Sequence, residues 1–197
     1  MKPDQIKDMN LILASASPRR IEIFNNHNLF PTVMPSDADE NIPIKLTPAE
    51  TVMFLSLQKS LWTIKNNKIP NNSIIVSADT IVVFDNKILG KPANERDAFD
   101  MLSRMSGKSH SVYTGVCIHT VTNGCTCFFD KSDVGFCDIP KSKLLEYIKT
   151  DEPYDKAGGY GIQETFSKYA KLISGELDNV IGFPFTLFEK HLTCLSL

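Results

Sequence analysis

The sequence lacks long apolar runs and has no strong excess of charge of either sign. Of its 197 residues, 21 are Lys or Arg and 23 are Asp or Glu, which gives a formal net charge of −2. No apolar stretch approaches the roughly 18 residues that a membrane-spanning helix needs. The polar first ten residues, Met1 to Asn10, contain no apolar signal core. We therefore expect a cytoplasmic protein that has no membrane anchor and does not bind nucleic acid through a basic surface.

The cysteines are not spaced like a disulfide framework. The five cysteines are an odd number, which fits reduced thiols in a cytosol. Cys117, Cys125, Cys127 and His119 could face one another across a hairpin that turns at Asn123-Gly124, which would suit zinc. However, the usual C-x₂₋₄-C pair is missing, and small buried thiols are the simpler interpretation.

Hydrophobic residues make up 42% of the chain, which is enough for a packed core and excludes a disordered protein. The length suits one domain spanning 1–197, without repeats or low-complexity linkers. Apolar patterns predict strands at 10–14, 74–84, 111–119, 125–130 and 133–139, a strand from 30 that runs into the acidic segment 36–40, and a tight turn at 85–86. They predict helices that start near 18, 48, 94, 140 and 185, each with a cap or an apolar face.

A carboxylate interrupts the most β-branched stretch of the chain, Ile74 to Phe84. Asp is depleted in strands and is rarely buried without a partner, so Asp79 suggests a cation or a reacting water. Lys91 follows in a Gly-Lys-Pro corner, where Pro92 prevents a central strand from continuing. The alternative is a turn or bulge at Asp79-Thr80, with Lys91 as a solvated charge.

A second polar feature follows the strand Asn10 to Ala14. Ser17 is a natural N-cap and Pro18 a natural first helical residue. A helix N-terminus attracts anions through its free N–H groups and its dipole. Arg19 and Arg20 are badly placed for that dipole unless an anion lies between them. The alternative is an ordinary strand–helix corner with exposed arginines.

Three further segments carry polar groups. The acidic run Ser36 to Glu40 is either a solvated loop or a set of oxygen ligands suited to Mg²⁺. Lys59 lies on the helix that a Thr47-to-Glu50 capping box opens, where a surface lysine is the default interpretation. In the glycine-rich segment Asp151 to Gln163, the backbone can approach a ligand closely, and Gln163 offers the donor and acceptor that a nucleobase edge requires.

Six motifs, in one order along the chain, resemble those of the Maf family of nucleoside triphosphate pyrophosphatases. Together they extend over nearly the whole sequence, from Leu11 to Pro184. The motifs are Ser15-Ala16-Ser17-Pro18-Arg19-Arg20, Ser77-Ala78-Asp79-Thr80, Gly90-Lys91-Pro92, Ser106-Gly107-Lys108-Ser109-His110, Thr114-Gly115-Val116, and Asp155-Lys156-Ala157-Gly158 with Ile162-Gln163.

The resemblance implies an α/β fold, an elongated mixed β-sheet flanked by helices that is similar to inosine triphosphatase (the Maf/Ham1 fold), and a homodimer. It implies hydrolysis of a nucleoside triphosphate to the monophosphate and pyrophosphate with Mg²⁺ or Mn²⁺. The fourth and sixth motifs are similar to the branch acting on dTTP and UTP rather than on 7-methyl-GTP.

The resemblance also implies roles for individual residues. Asp79 would accept a proton from water and, with Glu40, bind the metal. The other catalytic positions would be Lys59 and Lys91. The substrate-binding positions would be Ser15, Arg19, Arg20, Thr80 and Gln163, of which Arg19, Thr80 and Gln163 would set base specificity.

One departure from the family pattern concerns the base. Glu164 stands where the family usually has a glycine after Ile-Gln, and its carboxylate could accept from an exocyclic amine and admit CTP. A purine-type inosine triphosphatase of the same fold is one alternative. A non-catalytic regulator of cell division, or a nucleic-acid binder that uses the Arg19-Arg20 turn, is another.

Overall fold

The computed structural model describes residues 10–120 and 124–194. The strands in these ranges are β1 (Asn10–Leu13), β2 (Thr32–Val33), β3 (Ser73–Phe84), β4 (Lys87–Leu89), β5 (Ser109–Thr120), β6 (Gly124–Phe136) and β7 (Ala170–Ser174). The α-helices are α1 (Pro18–Asn26), α2 (Pro48–Asn66), α3 (Glu95–Met105), α4 (Lys141–Tyr147), α5 (Leu177–Ile181) and α6 (Phe185–Cys194). The predictions for Met1 to Met9 and for Asn123 lie outside the described residues.

The strands form one mixed sheet in the order β2-β1-β3-β5-β6-β7, with β4 paired to β3. β1 runs parallel to both β2 and β3, with Leu13 opposite Val33 and Val76. β4 is antiparallel to β3, and β7 is antiparallel to β6. The predicted mixed sheet flanked by helices is thereby confirmed.

The local signals explain where elements begin and turn. Thr47 and Glu50 form the predicted capping box at the start of α2. Asn94 caps α3 by accepting a hydrogen bond from Asp97 N. The turn between β3 and β4 has positive φ at Asp85 and Asn86, as a two-residue hairpin turn requires. At α1, Pro18 is the first helical residue as predicted, but the expected side-chain cap from the residue before it is not observed.

The two strands predicted at 125–130 and 133–139 are a single strand, β6. The polar pair Lys131-Ser132 suggested a break, but Ser132 is buried and its hydroxyl donates to Glu176 O. Asn179 Nδ2 also donates to the Ser132 hydroxyl. A buried polar group with partners does not interrupt a strand. The strand predicted to begin at 30 and run into the acidic segment 36–40 is likewise reduced to the two residues of β2.

The chain divides into two compact units. Unit 1 comprises the described residues of Met1–Asp79, Thr114–Asp130 and Gly182–Leu197, and unit 2 comprises Thr80–Tyr113 and Lys131–Ile181. Three strands, β3, β5 and β6, each contribute residues to both units. The single domain over 1–197 stays a prediction. No α-helix in the described part of the chain is both long enough and apolar enough to span a bilayer.

Each unit has its own apolar core. In unit 1 the rings of Phe24, Phe183, Phe185 and Phe188 pack on one another with centroids 4.7–6.3 Å apart. In unit 2 the buried core includes Leu102 and Met105 of α3 together with aromatic residues. These cores hold the strands and helices that carry the polar residues described next.

Candidate active site

Lys59 lies between two carboxylates of unit 1. Its Nζ is 2.5 Å from Asp79 Oδ1 and 2.8 Å from Glu40 Oε1. The side chains of Lys59 and Asp79 are only 14% and 10% exposed, whereas that of Glu40 is 63% exposed. A buried carboxylate without a partner is costly, and Lys59 supplies the partner. The default interpretation of Lys59 as a surface lysine is therefore wrong.

Asp79 belongs to a continuous strand and not to a turn or bulge. Ser77 is two residues earlier, so its side chain lies on the same face of β3. Its Oγ donates to Ser56 O of α2 at 2.6 Å. Ser56 precedes Lys59 by three residues and therefore lies on the same side of the helix. This hydrogen bond fixes α2 against β3 in the position that brings Lys59 to Asp79.

Gly115 of β5 also allows α2 to pack closely on the sheet. A Cβ at Gly115 would lie 2.3 Å from the carbonyl carbon and oxygen of Val52, a residue of α2. Only glycine allows the helix backbone to come this close to the strand. The Thr-Gly-Val motif thus has a structural role, which could not be inferred from the sequence alone.

Arg20 and Ser15 lie next to this cluster. Arg20 Nε donates to Gly182 O at 2.8 Å, and Nη1 donates to Ser15 Oγ at 3.1 Å. Burial lowers the pKa of Arg20, whereas the nearby negative charges of Asp79 and Glu40 raise it. The positive charge of Arg19 lowers the pKa of Arg20 further. The exposed-arginine alternative is wrong for Arg20, which is held by two hydrogen bonds.

Of the acidic run before α2, only Glu40 reaches Lys59. Asp37 and Asp39 are exposed, and Asp39 Oδ1 accepts from Asn41 N at 2.9 Å within its own loop. The solvated-loop interpretation describes these two residues. Glu40 and Asp79 remain as a pair of hard oxygen donors around one ammonium.

In unit 2 the third and sixth motifs are neighbours. Gly158 N donates to Gly90 O at 3.0 Å. Gly159 has a φ of +74°, and a Cβ there would lie 3.0 Å from Pro92 Cγ. These contacts hold the backbone on both sides of Lys91. The side chain of Lys91 is exposed. The other two predicted residues of this unit, Thr80 and Gln163, are half-buried and exposed respectively.

A second lysine, Lys156, is buried with three oxygen partners. Its Nζ donates to Glu152 O and Asp155 Oδ1, both at 2.6 Å, and lies 2.8 Å from Glu164 Oε2. The Glu164 carboxylate also lies over Gly161, where a Cβ would be 2.8 Å from it. The additional carboxylate is therefore part of an internal ion pair, which sequence reasoning missed.

His110 of the fourth motif belongs to the core of unit 2. Its Nε2 is 2.6 Å from the hydroxyl of Tyr160, and both side chains are buried. Burial lowers the pKa of His110 to about 4. The imidazole is therefore neutral at pH 7, and its hydrogen bond joins β5 to the segment that contains Tyr160.

Three of the four residues of the hypothetical zinc set come together in unit 1. The Sγ atoms of Cys117, Cys125 and Cys127 lie within 4.8 Å of one another, and His119 is outside this group. The hydrogen bond between Cys117 and Cys127 raises the pKa of Cys117 and lowers that of Cys127. The interpretation as buried hydrophobic thiols holds for Cys117 but not for Cys125, which is exposed.

Comparison with known proteins matches the family described as Maf-like protein over residues 10–195. A protein of Exiguobacterium sibiricum named dTTP/UTP pyrophosphatase is 40% identical over 187 residues, covering 95% of this chain and 93% of the relative. A Bacillus cereus protein of the same name is 38% identical over 182 residues, covering 92% and 93%.

A solved structure supports the fold independently of sequence. The Staphylococcus aureus Ham1 protein superposes with a TM-score of 0.51 at 12% identity, covering 93% of this chain and 98% of its own. At this identity the likeness concerns the fold alone, and it agrees with the Maf/Ham1 arrangement expected from the motifs. The motifs, the fold and the match over residues 10–195 lead to one conclusion: the chain belongs to the family of Maf-like proteins.

Proposed function

We propose that this protein hydrolyses dTTP and UTP to the nucleoside monophosphate and pyrophosphate. The observation that carries the proposal is the buried Lys59–Asp79 pair beside Arg20 in unit 1. Two relatives that match over more than nine-tenths of the chain are named dTTP/UTP pyrophosphatases, which supports the substrate class.

The proposed chemistry is direct attack of water, with Asp79 as the proton acceptor. Lys59 contacts Asp79 Oδ1, so Oδ2 is the oxygen that takes the proton. Water attacks the α-phosphorus, the bond to the bridging α–β oxygen breaks, and pyrophosphate leaves. General-base assistance of this kind commonly contributes about 10²–10⁴-fold to the rate.

The cationic residues of the proposed site match the charge of a triphosphate. Arg19 and Arg20 stand at the N-terminus of α1, where the helix dipole adds to their attraction for an anion. Arginine binds phosphate oxygens bidentately. Lys91 keeps its predicted role as a further phosphate contact, and Ser15 orients Arg20 through their hydrogen bond. Phosphoryl transfer depends mainly on such positioning and charge stabilisation.

A divalent cation fits the donor set of unit 1. Mg²⁺ is usually bound through one or two carboxylates together with phosphate oxygens and waters. The carboxylates of Glu40 and Asp79 both contact Lys59 Nζ, whose positive charge offsets their negative charge in the structure. We expect Glu40 and Asp79 to hold Mg²⁺ or Mn²⁺ when the triphosphate brings its own oxygens. Bound there, the ion would stabilise negative charge on the phosphates.

Base selection is assigned to Gln163, with Arg19 and Thr80 as further specificity positions. The pairing edge of uracil and thymine presents acceptors on both sides of a donor, and an amide can satisfy one of each. A site built on such bonds rejects a mismatched base because its own polar groups would be left unpaired. The pairing of Glu164 with Lys156 argues against a free carboxylate that would admit CTP.

The test measures pyrophosphate release from dTTP, UTP, CTP, GTP and ITP with Mg²⁺. We expect the highest kcat/KM for dTTP and UTP. Gln163→Ala should flatten this preference more than it lowers the best rate, whereas the nearby exposed Ser167→Ala should keep it. A preference for ITP would favour a purine-type inosine triphosphatase. No hydrolysis of any triphosphate would favour a non-catalytic regulator of cell division.

The remaining expectations are a cytoplasmic location and a homodimer. The homodimer is proposed from the family resemblance, and Phe30 of unit 1, whose side chain is 76% exposed, is the first residue to test for a place in its interface. Light scattering on the purified chain measures the assembly, and a Phe30→Ser variant should shift it toward the monomer.

A further inference from the structure

The three clustered cysteines of unit 1 belong to two strands that follow each other in the sheet order. Cys125 and Cys127 are two residues apart on β6 and so lie on one face of that strand. Cys117 lies on β5 and is completely buried. Their three Sγ atoms are all within 4.8 Å of one another.

We propose that Cys117, Cys125 and Cys127 bind one thiophilic metal ion, Zn²⁺ in the first place, at a site separate from the Glu40 and Asp79 carboxylates. Zn²⁺ binds cysteine sulfur at about 2.3 Å, so sulfurs around one tetrahedral ion are about 3.8 Å apart. Since the three Sγ atoms lie within 4.8 Å of one another, each sulfur has to move by less than about 1 Å to reach this spacing.

The surroundings of the cluster suit a metal site that solvent can reach. Burial decreases from Cys117, which is buried, through Cys127 to Cys125, which is exposed, so the cluster is open to solvent on the side of Cys125. The hydroxyl of Ser60 on α2 is fully buried next to the Cys117 thiol. It has no nitrogen or oxygen hydrogen-bond partner among the described residues.

The chemistry of the ligands separates this site from the proposed magnesium site. Thiolates prefer Zn²⁺ and Cu⁺, whereas carboxylates, carbonyls and water suit Mg²⁺. Binding forms three metal–sulfur bonds and releases up to three thiol protons to the buffer, without oxidation or reduction. A solvent molecule or an anion completes a tetrahedral set around Zn²⁺.

The experiment titrates the reduced full-length chain, freed of metal, with Zn²⁺ in a calorimeter and with Co²⁺ in an absorption spectrometer. We expect one ion per chain, proton release that depends on the buffer, and the thiolate-to-cobalt charge-transfer band in the near ultraviolet. Cys125→Ser and Cys127→Ser should each weaken Zn²⁺ binding by more than about 10-fold, because loss of even an outer partner commonly costs that much.

Cys137→Ser and Cys194→Ser are the matched controls, since both residues are exposed and lie outside the cluster. They should bind Zn²⁺ like the unaltered chain. Cys125 is exposed, so its replacement tests the site without disturbing the core. The proposal is overturned if the unaltered chain takes up no stoichiometric Zn²⁺, if Co²⁺ gives no thiolate band, or if Cys125→Ser binds Zn²⁺ as tightly as the controls.

Discussion

Each unit contains a lysine held by two carboxylates, and the two clusters differ in what is buried. In unit 1, Lys59 contacts the buried Asp79 and the exposed Glu40. In unit 2, Lys156 is itself only 8% exposed, while Asp155 and Glu164 are 58% and 33% exposed. The unit 1 cluster therefore buries a carboxylate together with its lysine, whereas in the unit 2 cluster the lysine is the most deeply buried member and both carboxylates are more exposed.

The hydrogen bonds make the difference sharper. An ammonium has three protons to donate; Lys156 Nζ donates to the backbone carbonyl of Glu152 and to Asp155 Oδ1, and it lies 2.8 Å from Glu164 Oε2. Lys59 has two carboxylate partners, and one of them, Glu40, can turn toward a ligand in solvent. We infer that the unit 2 cluster holds a loop in place, whereas the unit 1 cluster is available for chemistry.

The comparison is tested most strongly by removing one charge from each cluster. Asp79→Asn should lower kcat with dTTP by about 10²–10⁴-fold, because the amide cannot accept a proton from water. Asp155→Asn is the matched control and should leave kcat close to that of the unaltered enzyme. Steady-state kinetics at saturating substrate measures both variants. A near-full kcat in Asp79→Asn would remove this residue from the mechanism.

A pH titration of stability sharpens the structural role of unit 2. The pKa of His110 is lowered to about 4 from an ordinary 6.5. Between these values the unfolded chain binds a proton that the folded chain does not, so the free energy of unfolding falls as the pH decreases from 6.5 toward 4. The loss is about 3 kcal/mol.

Urea unfolding at several pH values in this window measures that loss. His110→Gln should show a smaller decrease than the unaltered chain. His27→Gln, at an exposed histidine of unit 1, should show the same decrease as the unaltered chain. Equal pH dependence in all three proteins would mean that other groups dominate.

Replacing the buried lysine tests whether its cluster is structural. Lys156→Met should lower the free energy of unfolding by about 1–3 kcal/mol, since hydrogen bonds from a charged donor are lost. It should change kcat far less than Asp79→Asn does. Lys149→Met, at an exposed lysine of the same unit, is the control for stability. The structural assignment is wrong if Lys156→Met leaves stability unchanged while kcat falls steeply.

The smallest effect is expected at the carboxylate that departs from the family pattern. Glu164→Gln removes a partly exposed ion pair and should cost at most about 1 kcal/mol of stability. The ratio of kcat/KM for CTP to that for dTTP should not change, because the carboxylate faces Lys156 and not the base. Glu189→Gln on the exposed face of α6 is the control. A selective fall in CTP hydrolysis in Glu164→Gln would instead show that the Glu164 carboxylate contacts the base.

Much of the fold could be predicted from local signals. The capping box before α2, the Asn cap of α3 and the turn at Asp85-Asn86 each follow from hydrogen bonds or backbone angles within a few residues. The continuity of β6 could not be predicted, because the partners of Ser132 are more than forty residues away in the sequence.

The candidate site, too, could be predicted only where the signals are local in the sequence. A carboxylate in an apolar strand correctly required a partner, but nothing near Asp79 in the sequence identified Lys59, which is twenty residues away on a helix. Likewise, Glu164 is expected near the base because it follows Gln163 in the sequence, and nothing local indicates that its carboxylate pairs with Lys156. Charges that pair across elements become visible only when the elements are placed. The roles of all the predicted site residues, including Thr80, Lys91 and Gln163, stay predictions from the family resemblance.

The contact between Gly115 and Val52 sets a limit on how this protein can be engineered. Replacing a glycine by alanine commonly stabilises a protein when φ is ordinary, because the unfolded chain loses freedom. Gly115 has no left-handed φ and would be selected by that rule, yet its added methyl would meet the carbonyl of Val52 at 2.3 Å. The helix would have to move outward and carry Lys59 with it. Gly115→Ala would therefore lower heat resistance as well as turnover, so this position should be left out of a library built on the glycine-to-alanine rule.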